Sequence, residues 1–220
     1  MKFRGPLVTL GAVAVLGAGV LLVNISKEPD PTTPGKAVAA SATTAAAAPA
    51  PQPPAPVKPP PPAFPEKADY VGKIPTANRT ITVEISVQND KAVAYACDGS
   101  KVEAWLRGSA VNGVLSLASK DKTSMLDGHL EGSAVVGTLA IGQKKWDFTA
   151  PQVQLPAGLY VYQNAAARSS WIVDEKGGVT GVQRRDNGAT SPAPQLTMRG
   201  TATVDGMEVR ATRVQGDSDV

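Results

Sequence analysis

Thr80–Val87 reads TITVEISV, and this stretch decides the fold class. Apolar side chains occupy every second position, and polar side chains occupy the positions between them. A period of two predicts a β-strand with one face toward a core. Asn89-Asp90 follows as a turn signal, and Lys91–Cys97 supplies the next strand-like run. The two runs therefore predict an antiparallel hairpin.

Further hairpins are predicted by dipeptides that favour left-handed backbone. Type I′ turns need positive φ at both central residues, and suitable pairs are Asp98-Gly99, Asn112-Gly113 and Asp205-Gly206. Glu175–Gly178 predicts a longer hairpin loop. We therefore expect an all-β domain over residues 69–215, built of hairpins. An antiparallel meander barrel and a two-sheet sandwich are the two candidate architectures.

An internal repeat lies inside the predicted domain. Leu106–Leu117 (LRGSAVNGVLSL) aligns with Leu130–Ile141 (LEGSAVVGTLAI), and a looser copy begins at Met198. A two-residue turn in the middle of each of the first two copies would place small residues opposite large ones, which suits a curved inward-facing surface. The pairs predicted in this way are Ala110–Leu115, Gly108–Leu117, Ala134–Leu139 and Gly132–Ile141.

The N-terminal segment predicts a membrane anchor. Gly5–Ser26 carries no charged residue, and Lys2 and Arg4 precede it. At about 1.5 Å per residue, a helix over residues 5–26 spans roughly 33 Å, enough to cross a hydrocarbon core of about 30 Å. The positive-inside rule places residues 1–4 in the cytoplasm and the rest outside a single-pass cell-membrane protein. A secreted protein, cut near the Ala-x-Ala site at residues 37–39, is the alternative.

Residues 27–68 predict an Ala/Pro-rich stalk, which holds most of the chain's 19 prolines. Such a segment cannot bury enough apolar surface to offset the entropy of ordering, so we expect it to be disordered and extended. It is either a spacer or a docking peptide for a proline-binding groove. We also expect a disordered tail over residues 216–220.

Composition excludes several function classes. Acidic and basic residues are equal in number from Glu66 onward, so the net charge of +3 comes from the anchor flanks and the stalk. Nucleic-acid binding needs a basic face, and we expect no nucleic-acid partner. A single histidine, His129, and a single cysteine, Cys97, are too few for most zinc sites. We expect no metal and no cofactor.

No recognised catalytic motif is present, and we expect a protein that is not an enzyme. Cys97 is expected to be buried and inert, with an intermolecular disulfide as the alternative. His129 lies between Asp127 and Glu131 in the sequence. It is expected to be a solvated surface residue, with a pH-sensitive spot as the alternative.

A surface site is predicted around Trp105. The strand register turns this side chain outward, with Glu103 and Arg107 on the same face. An outward Trp between a carboxylate and a guanidinium can stack on a sugar ring or another ligand. The alternative is a Trp covered by a loop or a second sheet. Tyr160 and Trp171 are further candidates for a ligand-binding surface.

Several stretches carry a resemblance to a known group of proteins. These are Tyr95–Gly99, Val102–Gly108, Trp146–Ala150, Ala157–Tyr160, Ser170–Val173 and Thr203–Thr212. The chain resembles actinobacterial, especially mycobacterial, conserved proline-rich membrane proteins with an extracytoplasmic β domain. The resemblance covers the anchor, the stalk and most of the outer domain. It implies an anchored layout in the cell envelope, and it carries over no catalytic residue to this chain.

The function expected from the sequence is that of a non-catalytic envelope protein. Its β domain would bind or scaffold cell-wall material, such as a glycan, or another envelope protein. One alternative is a wall-polymer hydrolase, which would need two carboxyl groups facing each other across a cleft. Another is an accessory subunit of a membrane complex, recognised through the helix or the stalk.

Overall fold

The structure, a computed structural model, describes residues 62–219. The predicted helix over residues 5–26, most of the predicted stalk and Val220 lie outside the described residues. Within the described range, no helix is long and apolar enough to cross a membrane. Every regular element there is a β-strand, and the predicted all-β class is confirmed.

Eight antiparallel strands close into a meander barrel, in which each strand pairs with the next along the chain. They are β1 (Lys67–Pro75), β2 (Thr80–Gln88), β3 (Lys91–Cys97), β4 (Glu103–Val111), β5 (Val114–Ala118), β6 (Ser124–Glu131), β7 (Ala134–Ile141) and β8 (Lys144–Val153). Asp69 pairs with Val153, and Tyr70 with Gln152, so that β1 joins β8 and closes the ring. Of the two candidate architectures, the barrel is the one observed.

Alternate residues of the strands fill the barrel interior, as a period of two requires. The predicted inward face of β2 is buried at Ile81, Val83, Ile85 and Val87. These side chains share one core with large residues from other strands, among them Leu106, Leu117, Leu126 and Leu139. The inward positions of β3 are all alanine, so small and large side chains interleave. The described interior is therefore a packed core.

The two copies of the repeat share sequence but not register. Asn112-Gly113 turns the chain with φ of 51° and 72°, which confirms the pairs Ala110–Leu115 and Gly108–Leu117. The pairs predicted for the second copy are wrong, because the chain turns at Gly132-Ser133. The observed pairs there are Ala134–Glu131, Leu139–Leu126 and Ile141–Ser124.

The cause of this difference is one residue. Val136 stands where the first copy has Asn112. A β-branched residue disfavours positive φ, whereas Gly132 adopts a φ of 60° without a steric penalty. The turn therefore moves to the glycine, and every pair that follows shifts with it.

A second sheet and a hairpin follow the barrel. The strands of the sheet are β9 (Gly158–Gln163), β10 (Ala167–Val173), β11 (Val179–Arg185), β12 (Thr190–Pro192) and β15 (Thr212–Arg213), and the hairpin is β13 (Thr201–Val204) with β14 (Met207–Arg210). The order of strands in the sheet is β12-β11-β10-β9-β15. The predicted turns at Glu175–Gly178 and Asp205-Gly206 join β10 to β11 and β13 to β14.

The second sheet packs against the outer wall of the barrel and buries that wall. The shared apolar layer includes Val71, Val93, Tyr95 and Cys97 from the barrel, with Leu159, Ile172 and Val182 from the sheet. Strand β3 is consequently buried at every residue from Ala92 to Cys97. We call this junction of barrel and sheet the seam.

The C-terminal segment, residues 212–219, contacts the first two strands of the barrel. Arg213 of β15 forms an ion pair with Asp69 of β1 at 2.6 Å. Further along, Gln88 donates a hydrogen bond to Asp217 at 2.9 Å, and Gly216 is buried. Residues 216–219 thus make defined contacts in the segment for which a disordered tail is predicted.

Gly216 offers a test of this docking. A Cβ at this position would lie 2.3 Å from the backbone N of Gln88 and 2.8 Å from the carbonyl O of Lys91. Because these backbone atoms cannot easily move away from a new methyl group, we expect Gly216→Ala to lower the free energy of unfolding by about 1–3 kcal/mol, the usual cost of overpacking. Urea unfolding followed by circular dichroism measures it.

Asp219→Ala is the control in the same segment. Asp219 is almost fully exposed and forms an ion pair with Arg107 at 2.6 Å. Exposed ion pairs contribute little, so we expect an unchanged midpoint. Equal effects of the two substitutions would contradict the tight packing of Gly216.

Candidate functional site

A groove of about 510 Å³ opens at the seam, where β4 begins. Trp105 lies in it, beside the β5–β6 loop, which contributes Lys120. The second sheet contributes Arg168 of β10 and Arg184 of β11, which stand opposite each other in the β10–β11 ladder. The groove therefore exists only because the second sheet docks on the barrel. We call it the Trp105 groove.

Glu103 is the ionic centre of this groove, and its side chain is 2% exposed. Its Oε1 atom pairs with Nε of Arg184 and lies 4.0 Å from Nη2 of Arg168. The hydroxyl of Tyr95 donates a hydrogen bond to Oε2 at 3.0 Å. One buried carboxylate thus faces two guanidinium groups, so positive charge is in excess at this point. Glu103 holds the arginines in place and is itself almost inaccessible to a ligand.

Trp105 is half-buried rather than free on the surface. Its ring lies 4.6 Å from the Tyr95 ring, centroid to centroid. The guanidinium carbon of Arg168 lies 4.9 Å from the Trp105 ring centroid, within the range of a cation–π interaction. Of the two interpretations of this residue, the covered Trp is the one observed.

Two buried donors in the groove have no acceptor among the described residues. They are Nε1 of Trp105 and Nε of Arg168. Buried polar atoms are paired in the great majority of cases, so two unpaired N–H groups in one place need an explanation. Both are donors only. Since both atoms are buried, bridging water, or a ligand oxygen that reaches below the surface of the groove, is the acceptor that suits them.

The other predicted site residues lie elsewhere. Arg107 is exposed beside Asp219 and does not line the groove. Trp171 is 1% exposed, and its Nε1 donates to the carbonyl of Pro194 at 2.7 Å. Its prediction as a surface residue is wrong, because a further apolar cluster on the second sheet encloses it. Tyr160 packs against this same cluster and donates its hydroxyl proton to the carbonyl of Pro156 at 2.8 Å.

Sequence reasoning missed the cationic residues of the groove. Arg168 and Lys120 stand in no motif, and Arg184 is part of an arginine pair followed by an acidic residue. The antiparallel pairing of β10 and β11 is readable from the loop at Glu175–Gly178. The docking of that pair beside Trp105 is not, because it depends on how two separate layers fit together.

A buried carboxyl cluster lies elsewhere on the seam. Ser86 Oγ lies 2.8 Å from Asp69 Oδ1 and 2.8 Å from Glu84 Oε1. Glu84 has no exposed surface. Burial raises the pKa of its carboxyl well above the ordinary value, and the charge of Asp69 raises the pKa further. A polymer cannot reach Glu84, so this pair does not provide the facing carboxyls that glycoside hydrolysis needs.

Glu84 makes the stability depend on pH. The folded state keeps the Glu84 proton to a higher pH than the unfolded state, whose pKa is about 4.5. The contribution of this residue to stability is therefore complete below about pH 4.5 and is lost progressively as the pH rises. We expect Glu84→Gln, which cannot ionise, to remove this loss.

Urea midpoints of both proteins between about pH 4.5 and pH 8 measure this effect. The difference between Glu84→Gln and wild type should shift in favour of the variant as the pH rises. Glu175→Gln, at an exposed loop position, should keep the wild-type profile. Parallel profiles for Glu84→Gln and wild type would contradict a protonated buried Glu84.

Cys97 and His129 do not form a reactive pair. Cys97 is buried on β3, and burial raises the pKa of its thiol to about 12, partly opposed by a hydrogen bond from the Gly99 backbone. His129 is exposed on β6, with Nε2 3.9 Å from Glu131. Three ladders of the barrel separate β3 from β6. Within residues 62–219, no group of three or more His, Cys, Asp or Glu side chains is arranged to hold a metal ion.

The thiol of Cys97 reports on the integrity of the seam. A buried, protonated thiol does not react with electrophiles, so we expect a maleimide to label Cys97 only after the second sheet detaches. Labelling in urea should be faster than in buffer by on the order of 100-fold or more. Since the chain holds one cysteine, the measurement is unambiguous. Fast labelling of the folded protein would contradict the described burial.

Comparison with known protein families, with curated proteins and with solved structures finds no match to this chain.

Proposed function

We propose that the protein is a membrane-anchored, extracytoplasmic, non-catalytic envelope protein whose β domain binds anionic cell-wall material at the Trp105 groove. The observation that carries this proposal is the excess of positive charge in the groove, where Arg168, Arg184 and the exposed Lys120 outnumber Glu103 and Asp121. Two buried donors without an acceptor, Trp105 Nε1 and Arg168 Nε, belong to the same groove. Donors beside positive charge favour carboxylate or phosphate oxygens.

The shape of the groove fits a polymer better than a compact metabolite. It lies on the outer wall of the barrel, beside an exposed loop with Lys120 and Asp121. An open groove lets a chain enter and leave along its length, whereas small-molecule sites enclose most of their ligand. The Trp105 ring, packed between Tyr95 and Arg168, holds the Arg168 guanidinium rigidly in the wall of the groove.

The anchor and the stalk support the compartment in this proposal. A charge-free segment over residues 5–26 holds the protein at the membrane, and the stalk lets the β domain reach wall polymer at a distance. The resemblance to proline-rich envelope proteins agrees with this layout. The Asp69–Glu84 pair gives the hydrolase alternative no specific support, since Glu84 has no exposed surface.

Binding of the full-length protein in detergent to purified, insoluble cell wall tests the proposal. We expect Arg184→Ala to weaken binding about tenfold or more, because a hydrogen bond to a charged group contributes about 1.5–3 kcal/mol. Arg185→Ala is the matched control. It removes the same charge one residue away, where Arg185 contacts Asp205 and lies outside the groove.

A second pair of variants avoids the buried ion pairs. Lys120→Glu reverses an exposed charge in the groove, and Lys122→Glu reverses one in the same loop outside it. We expect only Lys120→Glu to weaken wall binding, with thermal midpoints unchanged in both. Wild-type binding by both Arg184→Ala and Lys120→Glu would refute the Trp105 groove as the binding site.

A further inference from the structure

A second recess lies at one mouth of the barrel and is independent of the Trp105 groove. It has a volume of about 490 Å³. It lies at the end formed by the β1–β2, β3–β4 and β7–β8 loops, opposite the end where residues 62–66 lead into β1. Mouths of β-barrels are a recurrent place for small-ligand sites.

The floor of this recess is apolar because it is the exposed end of the barrel core. Ile81, Val102, Ile141 and Trp146 line it. Val102 is 37% exposed, and Ile141 and Trp146 are half-buried against the core. Below them the interior is filled, with Leu106 and Leu139 fully buried. A ligand can therefore lie across the mouth, and the barrel has no room to take it deeper.

The rim of the recess carries two cations. Lys144 lies at the start of β8, two positions before Trp146 on the same strand face, and Arg79 lies in the β1–β2 loop. Lys144 is exposed and has no ion pair among the described residues. Arg79 forms a long ion pair, with its Nε atom 3.8 Å from Oδ2 of Asp98. Both are available to an anionic group.

Asp98, the one acidic residue among the described residues that line the recess, is hydrogen-bonded to the backbone of its own loop. Asp98 Oδ1 accepts hydrogen bonds from the backbone N–H groups of Ser100, Lys101 and Val102, at 2.8 to 2.9 Å. Burial acts to raise the pKa of Asp98, but these hydrogen bonds outweigh it and the pKa is lowered. Asp98 therefore fixes the loop and leaves the rim with a net positive charge.

We propose that this mouth binds an anionic amphiphile with a single hydrocarbon chain. The chain would lie on Ile81, Val102, Ile141 and Trp146, and the carboxylate or phosphate head would lie between Lys144 and Arg79. An anionic head fits because the rim carries a net positive charge. A hydrocarbon chain fits because the floor is apolar, and a purely polar sugar would leave it poorly covered.

Photo-crosslinking with a diazirine-bearing decanoate tests this assignment. The full-length protein is placed in zwitterionic lipid nanodiscs, irradiated with the probe, and digested for mass spectrometry. We expect labels on peptides that contain Val102, Ile141 or Trp146. Because the readout is the labelled residue, probe dissolved in the lipid does not interfere.

Lys144→Glu and Lys145→Glu form the matched pair. They make the same charge change on adjacent residues that alternate across the strand, and Lys145 does not line the recess. We expect Lys144→Glu to reduce mouth labelling about tenfold, the effect of losing roughly 1.4 kcal/mol, and Lys145→Glu to leave it unchanged. Arg79→Glu should reproduce the loss from the other side of the rim.

The choice of head group is tested with a diazirine-bearing decanol. Weaker mouth labelling by this neutral probe supports the anionic head. Equal labelling by both probes would overturn it and indicate an apolar side chain or neutral lipid as the occupant. Absence of mouth labels with the acid, or equal labelling of Lys144→Glu and Lys145→Glu, would overturn the site. None of these outcomes depends on wall binding at the Trp105 groove.

Discussion

Burial of the barrel's outer wall by the second sheet is the contact on which the rest of the structure depends. A small antiparallel barrel ordinarily presents its outward residues to water. Here β3 is buried on both faces, and its outward residues Val93, Tyr95 and Cys97 become core. The Trp105 groove, the carboxyl cluster and the inert thiol are all consequences of this second layer, since each lies on the seam.

The seam encloses two glutamates, and the cost of burying each carboxyl group is offset in a different way. Glu103 faces two guanidinium groups and a tyrosine hydroxyl, so its burial is offset by charge pairing. Glu84 faces Ser86 and the carboxyl of Asp69, and the structure favours its protonated form. A buried charge is costly unless it is paired, and neutralisation is the other solution. The first arrangement supports a site, whereas the second makes the seam sensitive to pH.

The sequence was informative wherever structure is local. The alternation in Thr80–Val87 predicts β2, and Asn112-Gly113 predicts both a turn and its register, because φ preferences act within a few residues. The register predicted for the second repeat copy was wrong for an equally local reason, because Val136 stands where the first copy has Asn112. The candidate site was predicted only in part. Trp105 and Glu103 were identified from one strand, but Arg168 and Arg184 join them through the packing of two layers, which no local pattern encodes.

The order of the strands has a consequence for the nascent chain. In a meander, each strand pairs with one that has just emerged, so the barrel can grow hairpin by hairpin with short loops to close. The first strand completes its pairing last, because β1 pairs with β8 and Asp69 pairs with Arg213 of β15. Until β15 is in place, the apolar wall that the seam covers stays open to solvent.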